Sequence, residues 1–170
     1  MASIWPPVLI ASAVLAAAGT VAGAQEHPAR AACGIGPSPS VLAHITGLKA
    51  GTGMVRVQAY GPDPAGFLKK HRWVARVEAK PAGRRSLDLC LTLPGPGRYA
   101  IAVRHDANAS GSSDWNDGGG FSRNPRLSLF HLRPAFDDVA VPVRAGVGTQ
   151  VNVVMLYRHG LSLGPVTDGD

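Results

Sequence analysis

The sequence predicts an all-β protein, a single antiparallel β-sandwich of about seven strands, immunoglobulin-like or transthyretin-like in class. Three observations lead there. Apolar and polar residues alternate in short runs from residue 40 onward. Turn-forming segments rich in Gly, Pro and Asp separate those runs. Gly 21 and Pro 14 together make about one residue in five of the 170, too much punctuation for a helix bundle and too little for a low-complexity chain. The length suits one domain rather than a multidomain enzyme.

The runs are read in chain order. Val41, Ala43 and Ile45 alternate with Leu42, His44 and Thr46, and Val55, Val57 and Ala59 with Arg56, Gln58 and Tyr60. Trp73, Ala75, Val77 and Ala79 alternate with Val74, Arg76, Glu78 and Lys80. Leu87, Leu89, Leu91 and Leu93 then share one face, opposite Asp88, Cys90 and Thr92. Tyr99, Ile101 and Val103 form the fifth run, Val139, Val141 and Val143 the sixth, and Val151, Val153, Met155 and Tyr157 the seventh. Period two over such short stretches means half-buried strands. Pro142 removes a ladder donor, so its strand is expected at an edge or with a bulge. Only Ala65–Lys70 suggests a helical turn.

The organisation expected is a signal peptide at 1–24, a flexible arm at 25–39, the sandwich at 40–158 and a mobile tail at 159–170. The first 24 residues carry no charged side chain, hold the apolar run Val8–Ala18, and end in Ala22-Gly23-Ala24, with small residues where signal peptidase reads. A membrane anchor is the alternative, but the run is shorter than the roughly 20 residues a bilayer needs. Export implies a periplasmic or secreted protein with no transmembrane segment after cleavage. In that compartment the two cysteines, Cys33 and Cys90, are expected to pair, with two free thiols as the alternative.

Net charge is +6, and thirteen of the 17 basic residues are arginines scattered along the chain. That scatter predicts a generally basic surface with weak attraction to anionic envelope polymers or lipids, and no nucleic-acid groove. Catalytic patterns are weak. Gly160-Leu161-Ser162-Leu163-Gly164 matches a nucleophile elbow, yet only six residues follow it and none is His. The six histidines have no zinc-site spacing. His105 and Asp106 are neighbours on a strand and point to opposite faces, so His105 is expected to close the core edge.

The one long stretch without strand character is 106–135, and a loop of that length is functional or disordered. Counted from Asp106, the positions of a twelve-residue calcium loop fall on Asp106, Asn108, Ser110, Ser112 (through its carbonyl), Asp114 and Asp117. Gly111 stands where a positive φ is needed. Position 12 is Asp rather than Glu, position 5 is a neutral Ser, and no helices flank the loop. Calcium is therefore expected to bind only weakly, at about 10⁻⁴–10⁻³ M. A solvated Asn/Ser/Gly-rich turn uses the same residues.

The segments Gly53–Tyr60, Gly66-Phe67 and Pro94–Val103 resemble one exported bacterial family, catalogued as domain of unknown function 2141. The resemblance continues at His105-Asp106-Ala107-Asn108, at Gly120-Phe121-Ser122-Arg123-Asn124 and at Pro134–Ala140, and spans about 115 residues from near Val41 to near Tyr157. It implies a small β-sandwich behind a signal peptide, with no established activity. Family members carry a longer loop after the His-Asp pair, and this chain has Ser110 where they have Asn.

The function expected is that of a non-enzymatic envelope module, with no catalytic residues. It would bind a partner, an envelope protein or an anionic envelope polymer, through a calcium-stabilised loop at 106–120. A hydrolase acting on envelope polymer is the alternative, and would need His105, Asp106 and His131 in one pocket. An adhesion or assembly subunit would use an open sheet edge.

Overall fold

The computed structural model describes residues 33–34 and 36–166. The expected signal peptide at 1–24 and arm residues 25–32 and 35 lie outside the described residues. The chain runs β1 (Ser40–Thr46), β2 (Met54–Tyr60), β3 (Trp73–Ala79), β4 (Leu87–Thr92), β5 (Gly97–Asp106) and β6 (Gly118–Phe121). It continues through a single helical turn α1 (Phe136–Val139), then β7 (Ala140–Val143), β8 (Gly148–Val154), β9 (Tyr157–His159) and β10 (Ser162–Gly164). A 3-10 turn at Pro64–Gly66 falls where a helical turn is expected.

The seven expected runs are β1 to β5, β7 and β8. They form two facing sheets. One has the order β4-β1-β8, and the other is built from β3, β2, β5 and β6 with β7 also on β5. The alternating apolar residues of both sheets meet between them. Val41, Ala43 and Ile45 of β1, Leu87, Leu89 and Leu91 of β4, Val57 of β2, Ile101 of β5 and Val153 of β8 are all buried in one core. The outer face of the larger sheet carries a second, smaller core, where Phe67 stands edge-on to Tyr60, Phe121 and Phe136 with centroids 5.5, 6.1 and 5.9 Å away.

One pairing departs from the antiparallel expectation: β1 and β8 run parallel, with Ser40 opposite Gly148 and Thr46 opposite Val154. Alternation specifies which face a residue takes, not the direction of its neighbour, and about a hundred residues separate the two strands. Pro142 sits opposite Arg98 on β7, which pairs only with β5 among the described strands, as its missing donor requires. The seventh run breaks at Met155-Leu156, because the Met155 N–H turns to the Thr46 carbonyl (2.9 Å) and Leu156 pairs with Gly119. The described part of the expected tail, residues 159–166, holds the end of β9 and the whole of β10, which pair as a hairpin.

Cys33 and Cys90 form a disulfide with a Cα–Cα distance of 5.6 Å. Cys90 stands on the outer face of β4, opposite the buried leucines, and the bridge ties the arm onto that face. Among the described residues no helix is long and apolar enough to cross a membrane.

Candidate binding groove and the loop that frames it

β5 is the central strand, and its free side is shared: β7 pairs with residues 97–100 and β6 with residues 102–105. Ile101 falls at the seam, where neither strand offers a partner. Ser122, fully buried, fills the gap. Its Oγ accepts the Ile101 N–H (3.1 Å) and bonds the Val139 carbonyl, while its N–H donates to the Ile101 carbonyl (2.9 Å). Two residues on, Asn124 adopts φ 46° and pairs with the β8 edge, accepting the Val154 N–H (2.8 Å) and donating to the Asn152 carbonyl (3.0 Å). The 120–124 segment is thus a structural joint between sheets.

Gly118-Gly119-Gly120 makes a strand that sequence propensity hides. Gly118 and Gly120 are required by crowding: a Cβ at Gly118 would lie 2.3 Å from the Tyr157 ring, and one at Gly120 would lie 2.6 Å from Val153 Cγ1. Gly119 exchanges two backbone hydrogen bonds of 2.9 Å with Leu156, so β6 bridges β5 to the start of β9.

His105 is completely buried at the end of β5. Its Nε2 lies 2.9 Å from the Thr52 carbonyl oxygen, which only accepts, so Nε2 carries the proton. Nδ1 then accepts from the Tyr157 hydroxyl at 2.6 Å, and that hydroxyl oxygen accepts the Lys49 N–H at 3.0 Å. Both ring nitrogens of His105 and the Tyr157 hydroxyl thus have hydrogen-bond partners. Burial pushes the Tyr157 hydroxyl up to about 12. His105 closes the core edge, as expected from the strand alternation.

The loop after β5 is built around Arg104. Its guanidinium donates to Asp117 Oδ2 from Nε (3.0 Å) and Nη2 (2.7 Å), also donates to the Ser112 carbonyl, and stands 3.8 Å from Asp106 Oδ2. Arg104 sits opposite Gly119, which has no side chain to obstruct it. Asp106, nearly buried, accepts the N–H groups of Ser110 (2.9 Å) and Gly111 (2.8 Å). Gly111 takes φ 78°, the positive value expected of it. Asn108 donates to Asp114 Oδ2 (2.8 Å), and this bond, with the Asn116 N–H, holds the Asp114 carboxyl below its usual range.

The six residues expected to hold calcium are thus gathered in one loop, but their oxygens face different partners. Asp106 turns to backbone amides, Asp114 to Asn108 and Asn116, and Asp117 Oδ2 and the Ser112 carbonyl to Arg104. Asp117 Oδ1 is buried without a hydrogen-bond partner. Among the described residues no group of three or more His, Cys, Asp or Glu side chains is placed to hold a metal ion.

Beside this loop lies an apolar groove of about 320 Å³. Trp115, Phe121, Leu129, Leu132, Leu156 and Leu163 line it, with Asp114 and Arg158 at its polar margin. Trp115 is 75% exposed and Leu132 51%. The Arg158 guanidinium stacks 3.7 Å from the Trp115 ring centre and is tethered by its bond to the Gly160 carbonyl (2.7 Å). The groove escaped sequence reading because its lining is assembled from separate segments, the 106–117 loop, β6, the 127–132 stretch, Leu156 and the β9–β10 hairpin, none of which has strong periodicity.

The residues named for a hydrolase, His105, Asp106 and His131, do not share one cleft. His131 opens onto a surface cleft with Arg123, Arg126 and Arg133, whereas His105 is enclosed. Ser162, in the elbow-like pentapeptide, lies in β10, and its hydroxyl donates to the His159 carbonyl (2.9 Å). A strand-turn-helix elbow is not formed there.

Comparison with curated proteins and with solved structures gives no match. The family model described as "Uncharacterized protein conserved in bacteria (DUF2141)" matches residues 43–151, from β1 into β8, and the chain belongs to that bacterial family.

Proposed function

We propose that this chain is an exported, non-enzymatic binding module of the bacterial envelope, and that it receives an apolar segment of a partner protein in the groove beside Trp115. The observation that carries this reading is the indole of Trp115, three-quarters exposed at the rim of an apolar groove. An aromatic side chain left in water next to such a groove fits a binding anchor, since Trp dominates interface energetics and gains from burial against a partner. Arg158 and the Arg104-centred loop hold that ring in place beforehand, which lowers the ordering cost of association.

The loop needs no calcium in this reading. Arg104 supplies positive charge at Asp117 and at the Ser112 carbonyl, and a cation at the same oxygens would have to displace it. Calcium should leave the thermal midpoint and Trp115 emission of the wild-type protein unchanged. A shift in either at millimolar calcium would return the loop to the metal-binding class. Non-enzymatic function is supported by His105, both of whose ring nitrogens are already engaged.

Export rests on the apolar, uncharged segment 1–24 together with the Cys33–Cys90 bridge, which persists in oxidising compartments. The mature protein should begin at or near Gln25, and retention of Met1 would contradict this.

Random-peptide display against the wild type, counter-selected on Leu132→Glu, tests the groove. A consensus with an apolar anchor should emerge, with binding lost in Trp115→Ala. Peptides that bind both variants equally would overturn it.

A further inference from the structure

The scattered basic residues of the sequence do not stay scattered. Pairing of β2 with β3 sets Arg56 opposite Glu78 and Gln58 opposite Arg76, on the outer face of the larger sheet. The turn between those strands folds back over the same face. Together they enclose a cleft of about 280 Å³ lined by Arg56, Gln58, Lys69, Lys70, His71 and Arg76, with Tyr60 and Trp73 along its wall. No carboxylate is among the lining residues.

The turn is held in shape rather than draped. Asp63 accepts the Ala65 N–H (2.9 Å) to start the 3-10 turn. Phe67 is locked in the aromatic cluster with Tyr60, Phe121 and Phe136. Leu68 and His71, flanking the two lysines, take φ values of 55° and 60°, a left-handed conformation that costs side-chain-bearing residues energy. The turn's backbone therefore places the exposed Lys69 and Lys70 along the same cleft as Arg56 and Arg76. Glu78 accepts hydrogen bonds from both arginines and neutralises only one charge of the group.

We infer that this cleft is a binding site for an anionic polysaccharide, whose carboxylate or phosphate groups meet Arg56, Lys69, Lys70 and Arg76 while a sugar ring lies against Trp73. Several cations over one cleft exceed what a single small anion requires and match a polymer with repeated charge. The Gln58 amide offers both a donor and an acceptor to sugar hydroxyls. Trp73, half-buried and carrying the Arg76 guanidinium 5.7 Å from its ring centre, is a single aromatic platform. Single-stranded nucleic acid is the less favoured polyanion, because its binding sites stack successive bases on several aromatic rings, and Tyr60 is only 6% exposed. This site is separate from the Trp115 groove and does not depend on it.

The test is binding of fluorescently labelled oligogalacturonate to the full chain at physiological salt. Lys69→Ala/Lys70→Ala/Arg76→Ala should weaken it at least about tenfold. Arg126→Ala/Arg133→Ala/Arg144→Ala removes the same charge elsewhere and should stay within about twofold. Equal losses in the two triple variants would reduce the effect to net charge and overturn the site. Equal binding of the methyl-esterified, uncharged oligomer would overturn it as well. Tighter binding of an oligothymidylate than of the glycan would reassign the cleft to nucleic acid. Thermal midpoints of both variants confirm that each is folded.

Discussion

Replacing Arg104 with Met keeps most of the side-chain volume and removes the charge on which the 106–117 loop is organised. Two bonds to Asp117 Oδ2, at 3.0 and 2.7 Å, and one to the Ser112 carbonyl disappear. Breaking a fully buried ion pair by removing one partner costs about 3–5 kcal/mol, because the remaining charge stays desolvated. Here the Asp117 side chain is 8% exposed, but that of Arg104 is 24% exposed, so water reaches the pair from one side. A loss of about 2–4 kcal/mol follows once that screening is allowed for. For a chain of this size, about 3 kcal/mol lowers the midpoint by roughly 6–12 °C. Urea unfolding gives the energy directly, and Arg104→Met/Asp117→Asn should recover part of it by removing the stranded charge. Without Arg104, Asp106, Asp114 and Asp117 form an uncompensated acidic loop, so calcium should stabilise Arg104→Met while leaving the wild type unmoved. A loss below about 0.5 kcal/mol, the range of an ordinary surface substitution, would refute the central role given to Arg104.

Two further outcomes concern the frame. Removing the bridge with Cys33→Ser/Cys90→Ser frees a loop of sequence separation 57 and should cost about 4 kcal/mol by loop entropy, read from chemical denaturation; an unchanged midpoint would mean that the reduced chain is already constrained. Tyr157→Phe leaves the Lys49 N–H and His105 Nδ1 without their partner and should cost about 1–3 kcal/mol. The wild type also gains an alkaline limb from this hydroxyl. Its folded pKa of about 12 lies above the ordinary 10.0, so its contribution is complete below pH 10 and is lost as pH rises toward 12. That loss, roughly 2 kcal/mol after allowance for partial solvation, should be missing from Tyr157→Phe. Equal alkaline slopes in the two proteins would count against the buried network.

Much of the frame was legible in the residues. Strict alternation placed seven strands, because a half-buried strand needs period two. Pro142 announced an edge, Gly111 a positive φ, and Cys90 a position opposite the leucines where a bridge could form. The hidden parts share a physical cause, namely that they depend on which distant segments meet. The parallel β1–β8 pair leaves no local mark. β6 is three glycines and Phe121, a composition with poor strand propensity, selected by the closeness of Tyr157 and Val153. Arg104 reads locally as a solvated strand residue, and its role follows from lying across from Gly119 within reach of Asp117. The loop positions counted for calcium did converge, yet spacing alone could not reveal that an arginine would stand among them. Likewise Arg56, Lys69, Lys70 and Arg76 are unremarkable until β2 and β3 pair. Of the residues that carry the family resemblance, His105, Ser122 and Asn124 are structural joints, whereas Arg56, Gln58 and Phe121 line the two proposed binding surfaces.

The central claim, that the groove beside Trp115 receives a partner protein, is tested most directly by placing a photoreactive benzophenone residue at position 132, which lines the groove, and irradiating bacterial cells that express the full chain. The account predicts one discrete covalent adduct, absent when Trp115→Ala removes the anchor and absent when the same residue replaces Val74, an exposed apolar position on β3. No adduct at position 132, or the same adducts from positions 132 and 74, would contradict it.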